Sequence, residues 1–236
     1  MDYENALLYE IAETVDSQKL PIISIAGGVA ASKSTFAAAL KTYLSVRNPK
    51  CRVQVLSTDS FLYPNKTLEK HGITKGFPKS YDYNTLKHVL HEFKGGRTVK
   101  VPVYLHEIYD ILPEQEMLHA DVLILEGINT LSDELCEFSD LSLFLSVDPK
   151  SLYDWFIGRF RKLIANAAPG SFYERYAKMP LDTALSIAKD VWDNVNAVNN
   201  EKYIFPTAER ADLIVKIDNE HRVYEIVHYP FSAKLA

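Results

Sequence analysis

The sequence predicts an α/β fold, a doubly wound and mainly parallel β-sheet flanked by helices. Three observations predict it: short apolar runs typical of strands buried on both faces, helical patterns between those runs, and polar groups where the runs end. Ligands of such sheets bind outside the carboxyl ends of the strands. We therefore expect the functional residues at that edge of the sheet.

Composition and charge are those of an ordinary soluble protein. The chain has 236 residues, of which 47% are hydrophobic and 24% are charged, and its formal net charge is −5. These values favour a single domain over residues 1–236, and they argue against nucleic acid as the main partner because no basic footprint covers the sequence. No apolar run is as long as a membrane span, and the acidic N-terminus does not resemble a signal peptide. We expect a cytoplasmic protein, and small polyanions remain possible ligands if local cations bind them.

The first elements are a helix, a strand and a phosphate-binding loop. Apolar residues at helical spacing predict an amphipathic helix over 3–17, and a strand over 21–26 leads through a glycine pair into a helix over 34–46. The junction nearly matches G-x-x-x-x-G-K-[ST], a P-loop in which backbone N–H groups wrap a phosphate, the lysine reaches the outer phosphates and the hydroxyl ligates Mg²⁺. The predicted nucleotide-binding residues are Gly27, Gly28, Val29, Ala30, Ala31, Ser32, Lys33, Ser34 and Thr35.

One residue departs from the P-loop pattern. Ser32 stands where the pattern has its second glycine. Glycine serves there because a side chain would crowd the phosphate, or because φ must be positive, which costs other residues about 1–2 kcal/mol. Ser32 therefore predicts weakened but not abolished nucleotide binding, and it leaves open a pseudoenzyme that binds nucleotide without turnover.

Strands and helices alternate along the rest of the chain. The predicted strands cover 52–56, 99–103, 121–127, 141–147, 212–217 and 222–228. The predicted helices cover 84–93, 149–165 and 181–199. Proline and glycine among polar residues predict a long irregular loop over 60–83.

Two strand ends supply carboxylates for phosphoryl transfer. Glu126 closes the apolar strand over 121–127 and is the type of carboxylate that holds Mg²⁺ beside a P-loop, together with the hydroxyl of Ser34. Asp59 follows the second strand, where its carboxylate can orient a substrate hydroxyl and accept the proton. The alternative for Asp59 is an ordinary residue that caps a loop.

A basic and aromatic helical segment contains Arg159. Its charges fit a solvated face, whereas a guanidinium brought over a nucleotide would neutralise charge developing on a transferred phosphoryl group. His106 fits either a hydrogen-bonded strand end or, with Tyr104, a polar pocket wall. Aromatic residues that fit either a core or an apolar-lined cavity are Trp155, Phe156, Phe160, Phe172, Tyr173 and Tyr176.

Several longer tracts match one family in order and spacing. They include Ser57-Thr58-Asp59-Ser60-Phe61-Leu62-Tyr63-Pro64-Asn65, Lys75-Gly76-Phe77-Pro78 with Ser80-Tyr81-Asp82, Tyr104 and His106 with Ile108-Tyr109-Asp110, and Pro206-Thr207 with Glu209-Arg210-Ala211-Asp212. Over roughly residues 20–230 the chain thereby resembles the type I pantothenate kinases, of the P-loop phosphoribulokinase and uridine kinase superfamily.

The resemblance implies a P-loop NTPase-like fold and transfer of the ATP γ-phosphate to the primary hydroxyl of pantothenate, the first step of coenzyme A biosynthesis. It implies ATP and Mg²⁺ as cofactors and a homodimer. By similarity, Lys33 contacts the β- and γ-phosphates, Asp59 is the catalytic base and Arg159 stabilises the transferring phosphoryl group. A loop around 172–176 would close over the acceptor. The implied acceptor-binding residues are Tyr104, His106, Phe156, Tyr173, Tyr176 and Asn196.

Three further departures from the family affect the acceptor, regulation and assembly. Phe156 replaces a family tyrosine whose hydroxyl binds pantothenate, which removes a hydrogen bond of about 0.5–1.5 kcal/mol. It leaves open a kinase of the same fold that acts on a nucleoside such as uridine or on another small alcohol. Ala38 replaces a family arginine that helps coenzyme A bind as an inhibitor, so we expect weak feedback inhibition. Most of the family's N-terminal helical extension is expected to be missing.

Overall fold

The computed structural model describes residues 3–229, and the framework of this part of the chain is a six-stranded sheet. The strands of this sheet are β1 (Ile22–Gly27), β2 (Val53–Ser57), β5 (Val122–Glu126), β6 (Leu141–Ser146), β7 (Leu213–Ile217) and β8 (Val223–His228). A separate hairpin consists of β3 (Val99–Leu105) and β4 (Asp110–Leu118). The order across the sheet is β2-β5-β1-β6-β7-β8, with parallel pairing except between β7 and β8. This confirms the mainly parallel sheet.

Helices cover both faces of the sheet. They are α1 (Tyr3–Asp16), α2 (Lys33–Arg47), α3 (Asn65–His71), α4 (Tyr83–Lys94), α5 (Pro149–Ala165), α6 (Glu174–Ala177), α7 (Leu181–Val191) and α8 (Ala197–Asn199). Successive strand residues face opposite sides, so Ile23 and Ile124 share a core with α1 and α2, whereas Ile22 and Leu123 share one with α4. Within residues 3–229, no helix has both the length and the apolar character that crossing a bilayer demands.

Three parallel strands bring their carboxyl ends to one edge of the sheet. Glu126, the last residue of β5, is level with Ile25 of β1 and with Ser57 of β2. The segments that follow these strands leave from the same edge because the strands run in one direction. The P-loop, Asp59 and Glu126 therefore meet there.

The irregular loop expected over 60–83 is a wrong prediction for residues 65–71, which form α3. Pro64 precedes this helix, and Gly72 ends it in the left-handed conformation (φ 61°, ψ 31°). Pro64 and Gly72, from which the loop was predicted, are thus the start and stop signals of a short helix. Leu68 anchors the helix because it is buried.

The strand predicted over 99–103 exists, but it does not join the central sheet. It pairs with β4 in a separate antiparallel hairpin, and β4 itself was not predicted. Residues 113–117 of β4 are exposed, so this strand lacks the apolar alternation that reveals a half-buried strand. The turn between β3 and β4 carries His106.

The helical segment predicted over 181–199 continues further than expected. After α7, wider π-helical turns over 192–196 and 200–204 flank α8. Such turns often occur at functional sites, and here the first contains Asn196 and the second begins at Asn200. The remaining predicted helices and strands agree with the structure to within one residue at each end.

Replacing Gly127 with alanine is expected to lower the free energy of unfolding by about 1–3 kcal/mol, the usual range for overpacking. A Cβ at this position would lie 1.9 Å from Oγ1 of Thr58, which is fully buried and immediately precedes Asp59. Chemical denaturation of both proteins measures the difference.

The matched control is Gly158→Ala within α5, where a Cβ would meet nothing within 4 Å. This variant is expected to gain about 0.5–1 kcal/mol, because alanine loses less backbone entropy than glycine in a helix. Equal stabilities of the Gly127→Ala variant and the parent would contradict the close approach of Gly127 to Thr58.

Candidate functional site

The loop from β1 to α2 forms one wall of a cavity of about 660 Å³. Its backbone is left-handed at Ala30 (φ 70°) and at Ser32 (φ 61°, ψ 24°), so Ser32 adopts the conformation for which P-loops use glycine. Oγ of Ser32 lies 3.2 Å from Nδ1 of His221. The His221 ring stacks on Trp155, with 3.7 Å between ring centroids. The hairpin turn between β7 and β8 thus contacts the P-loop at its unusual residue.

A second long-range contact holds the loop at Val29. The N–H of Val29 donates to Oδ1 of Asn200 at 2.9 Å, and Asn200 is buried. Asn200 begins the second π-helical turn of the helical segment over 181–204, which we call the C-terminal segment. The P-loop is therefore bonded to the C-terminal segment as well as to its own flanking strand and helix.

Lys33 is buried beneath the P-loop. Its Nζ donates to the carbonyl oxygens of Gly27 (3.1 Å) and Gly28 (2.9 Å). Burial lowers the pKa of Lys33 to about 8, against the attraction of the Glu126 and Asp59 carboxylates. An anionic ligand in the cavity would stabilise the charged form of this lysine and raise its pKa.

Glu126 is 5% exposed and lies near the Ser34 and Ser57 hydroxyls. Burial raises the pKa of Glu126, whereas the charge of Lys33 and the neighbouring Ser57 and Ser34 hydroxyls lower it. A carboxylate beside a hydroxyl offers the hard oxygen ligands that Mg²⁺ prefers. In the described part of the chain, no three His, Cys, Asp or Glu side chains are grouped as a metal site. A cation here would therefore share oxygen atoms with a ligand.

Asp59 lies in the short 3₁₀ turn over 58–61 that follows β2, and it lines the cavity. Its N–H donates to Oγ of Ser57 at 3.3 Å, and its Oδ1 accepts from the Tyr81 hydroxyl at 3.2 Å. Oδ2 has no hydrogen-bond partner within residues 3–229. This second oxygen can accept a hydrogen bond from a hydroxyl group in the cavity.

The β3–β4 turn and the segment that leads into α6 form the opposite wall. Tyr104 packs edge-on against His106 with 5.1 Å between centroids, and Tyr109 stacks on Phe172 at 4.4 Å. The N–H of Phe172 donates to the carbonyl oxygen of Glu107 at 2.7 Å. The segment expected to close over the acceptor is thus in contact with this turn.

Helix α5 and the C-terminal segment complete the cavity. The centroid of the Phe156 ring lies 5.3 Å from that of Trp192. Trp192 begins the π-helical turn that ends at Asn196. Arg159 is exposed at the rim. Partial removal from water, followed by the charge of Arg159, lowers the pKa of His106, so this guanidinium lies within electrostatic range of the acceptor wall.

Most residues predicted as functional from the sequence line this one cavity. Those that line it are Val29, Ala30, Ala31, Ser32, Lys33, Ser34, Thr35, Asp59, Tyr104, His106, Glu126, Phe156, Arg159, Tyr173, Tyr176 and Asn196. Gly27 and Gly28 do not line it, and their carbonyl oxygens accept from Lys33 instead. The fold thus brings the predicted groups together, while their individual roles stay predictions.

Lys75 also lines the cavity, although the sequence analysis gave it no role. Its Nζ donates to Oδ1 of Asn65 (2.8 Å) and to the carbonyl oxygen of Tyr109 (2.5 Å). Burial lowers its pKa to about 8, against the carboxylates of Asp110 and Asp59. An ammonium has three donors, so one N–H remains for a ligand oxygen. The only signal in the sequence was its position within a tract that resembles a known family.

Two relatives at substantial identity are pantothenate kinases from streptococci. The pantothenate kinase of Streptococcus agalactiae is 40% identical over 217 residues, which cover 87% of this chain and 71% of that protein. The pantothenate kinase of Streptococcus equi subsp. zooepidemicus is 39% identical over 224 residues, which cover 89% and 73%.

Structural comparison and a family model agree with the P-loop architecture. D-glycerate 3-kinase from Cryptococcus neoformans aligns with a TM-score of 0.70 at 11% identity, covering 94% of this chain and 99% of that one, which supports the fold alone. The model of the phosphoribulokinase / uridine kinase family matches residues 22–159, more than half of the chain. The chain therefore belongs to the phosphoribulokinase / uridine kinase family.

Proposed function

We propose that this protein transfers the γ-phosphate of ATP to the primary hydroxyl of pantothenate, the first step of coenzyme A biosynthesis, and that it acts as a homodimer. The observation that carries the proposal is that the P-loop and the Asp59 carboxylate share one cavity with a wall built from Tyr104 and His106. The two streptococcal relatives named pantothenate kinase support the acceptor. Membership of a kinase family supports ATP as the donor.

In this proposal the chain's own groups bind, orient and neutralise the reactants. P-loop N–H groups and Nζ of Lys33 bind the β- and γ-phosphates, and Oδ2 of Asp59 accepts a hydrogen bond from the acceptor hydroxyl. The hydroxyl oxygen bonds to the γ-phosphorus while the bond from that phosphorus to the bridging oxygen breaks, which releases ADP. The hydroxyl proton moves to Asp59. Arg159 neutralises charge that builds on the transferred group.

Mg²⁺ is part of the proposal because the residues present fit this ion. The Ser34 hydroxyl and the Glu126 carboxylate lie together, and they would hold the ion with phosphate oxygens. A cation that uses one or two protein oxygens and otherwise binds phosphate suits this small ligand set. When bound, Mg²⁺ would neutralise negative charge on the β- and γ-phosphates.

The walls of the cavity suit a polar acceptor with an apolar part. Pantothenate has a primary hydroxyl beside two methyl groups, then a second hydroxyl, an amide and a terminal carboxylate. Tyr104, His106 and Asn196 can contact the polar groups, and the rings of Phe156 and Tyr173 can contact the methyl and methylene groups. The lack of a hydroxyl on Phe156 is the feature that favours a different small alcohol.

A substrate panel tests the proposed function. The purified protein is incubated with ATP, Mg²⁺ and one of pantothenate, uridine or glycerate, and ADP and the phosphorylated product are measured. We expect pantothenate to give the highest kcat/KM. A higher value for another alcohol would replace pantothenate as the acceptor. Bound ATP without turnover of any acceptor would favour the pseudoenzyme, and Ser32→Gly would then test whether this residue blocks turnover.

Asp59→Asn is expected to lower kcat by about 10²-fold or more, the usual contribution of a positioned general base. The affinity for ATP should stay nearly unchanged, because the amide keeps the size of the carboxylate and lies outside the P-loop. Steady-state kinetics and calorimetric titration of ATP measure the two effects. Asp182→Asn, at an exposed carboxylate in the first turn of α7, is the control and should leave both unchanged. Wild-type turnover by Asp59→Asn would remove Asp59 from the role of base.

Phe156→Tyr is expected to lower the KM for pantothenate by about two- to tenfold, which corresponds to one hydrogen bond of about 0.5–1.5 kcal/mol. The added hydroxyl would enter the cavity that Phe156 lines. The KM for ATP should not change, and Phe156→Leu, which adds no hydroxyl, should not lower the KM for pantothenate. An unchanged KM in Phe156→Tyr would mean that the acceptor does not reach this ring.

A further inference from the structure

Tyr81 contacts one oxygen of the Asp59 carboxylate from a buried position. Its hydroxyl donates to Oδ1 of Asp59 at 3.2 Å, and the residue is 4% exposed. Burial, followed by the charge of Asp59, raises the pKa of Tyr81 well above its ordinary value. The hydroxyl therefore keeps its proton and stays a donor to the carboxylate.

The backbone around Tyr81 is bonded to the segment that follows Asp59. Leu62 and Tyr81 form an antiparallel β-bridge. The bonds on either side are those from the N–H of Tyr63 to the carbonyl oxygen of Ser80 (2.8 Å) and from the N–H of Asp82 to the carbonyl oxygen of Phe61 (2.7 Å). Tyr81 and Asp59 are therefore carried by two segments that are hydrogen-bonded to each other.

Other charged groups near Asp59 act on it through space. Lys33, Lys75, His106 and Glu126 all lie within electrostatic range of this carboxylate. Within residues 3–229, Tyr81 provides the only side-chain hydrogen bond to it. A charge at a distance favours a protonation state, whereas a hydrogen bond also fixes the rotation of the carboxylate group.

We propose that Tyr81 is a positioning residue for phosphoryl transfer. By donating to Oδ1 it fixes the rotation of the Asp59 carboxylate and leaves Oδ2 as the oxygen that meets the acceptor hydroxyl. The inference rests on the proposed function, because it assigns Tyr81 an effect only through the role of Asp59 in that reaction.

Tyr81→Phe tests the inference because it removes only the hydroxyl. We expect kcat to fall about ten- to a hundredfold, the effect of losing a hydrogen bond to a charged group. The KM values for ATP and pantothenate should stay within about twofold, because the lost interaction contacts neither substrate. The matched control is Tyr83→Phe, because the hydroxyl of this half-buried tyrosine accepts a hydrogen bond from Nδ2 of Asn129 at 3.2 Å and makes no hydrogen bond to Asp59. The kcat of the Tyr83→Phe variant should equal that of the parent.

A double-mutant cycle separates positioning from a general structural role. In an Asp59→Asn background, Tyr81→Phe should cause little further loss of kcat, because the carboxylate through which Tyr81 acts is already absent. An equal fold-loss in both backgrounds would overturn the inference. So would an unchanged kcat, a raised KM for pantothenate at constant kcat, or the loss of cooperative unfolding in Tyr81→Phe alone.

The parent protein distinguishes this inference from the proposed function. If it phosphorylates another alcohol but not pantothenate, the proposed function fails, and the cycle is measured with that alcohol instead. If it phosphorylates pantothenate and the cycle is additive, only the inference fails. A parent that phosphorylates no alcohol overturns both.

Discussion

The parallel register of β1, β2 and β5 is the constraint on which the candidate site depends. Glu126 is level with Ile25 on one side and Ser57 on the other, so the buried carboxylate lies between the strand ends that carry the P-loop and Asp59. Alternate residues of β5 enter different cores, as Leu123 and Ile124 do. A shift of one residue would exchange these faces and turn Glu126 away from Lys33. The packing of apolar side chains thus fixes the distance between groups of opposite charge.

Two lysines and one carboxylate of the cavity have pKa values shifted towards their neutral forms. Burial lowers the pKa of Lys33 and of Lys75 to about 8 and raises the pKa of Glu126. A cavity of this kind disfavours isolated charge, and a polyanion with a divalent cation would offset both effects. Phosphate oxygens would stabilise the two lysines, while the cation would stabilise the carboxylate. The net charge of −5 is therefore no obstacle to an anionic ligand, because the relevant charges are local.

The sequence predicts the elements whose signal is local, and it fails where the signal depends on tertiary contacts. The strand that ends at Glu126 is an uninterrupted apolar run because both of its faces are buried. Helix α3 was missed because Pro64 and Gly72 mark both loops and helix ends, and the seven residues between them give too little periodicity to decide. Within the site, the P-loop and Asp59 are recognisable from their positions after strands. Tyr81 and Lys75 are not, because only the backbone bonds of the folded 60–83 segment bring them to Asp59 and to the cavity.

Ser32 shows how a departure from a motif changes meaning once the fold is known. Read locally, a serine in the left-handed conformation costs about 1–2 kcal/mol and crowds a phosphate site. In the structure its hydroxyl is bonded to His221, 189 residues away in the chain, and the neighbouring Val29 N–H is bonded to Asn200, 171 residues away. Glycine could not make the first of these contacts, so the same side chain that strains the loop also ties it to the C-terminal hairpin. The conformation of this P-loop consequently depends on the β7–β8 turn and on the helical segment that contains Asn200, as well as on the residues of the motif.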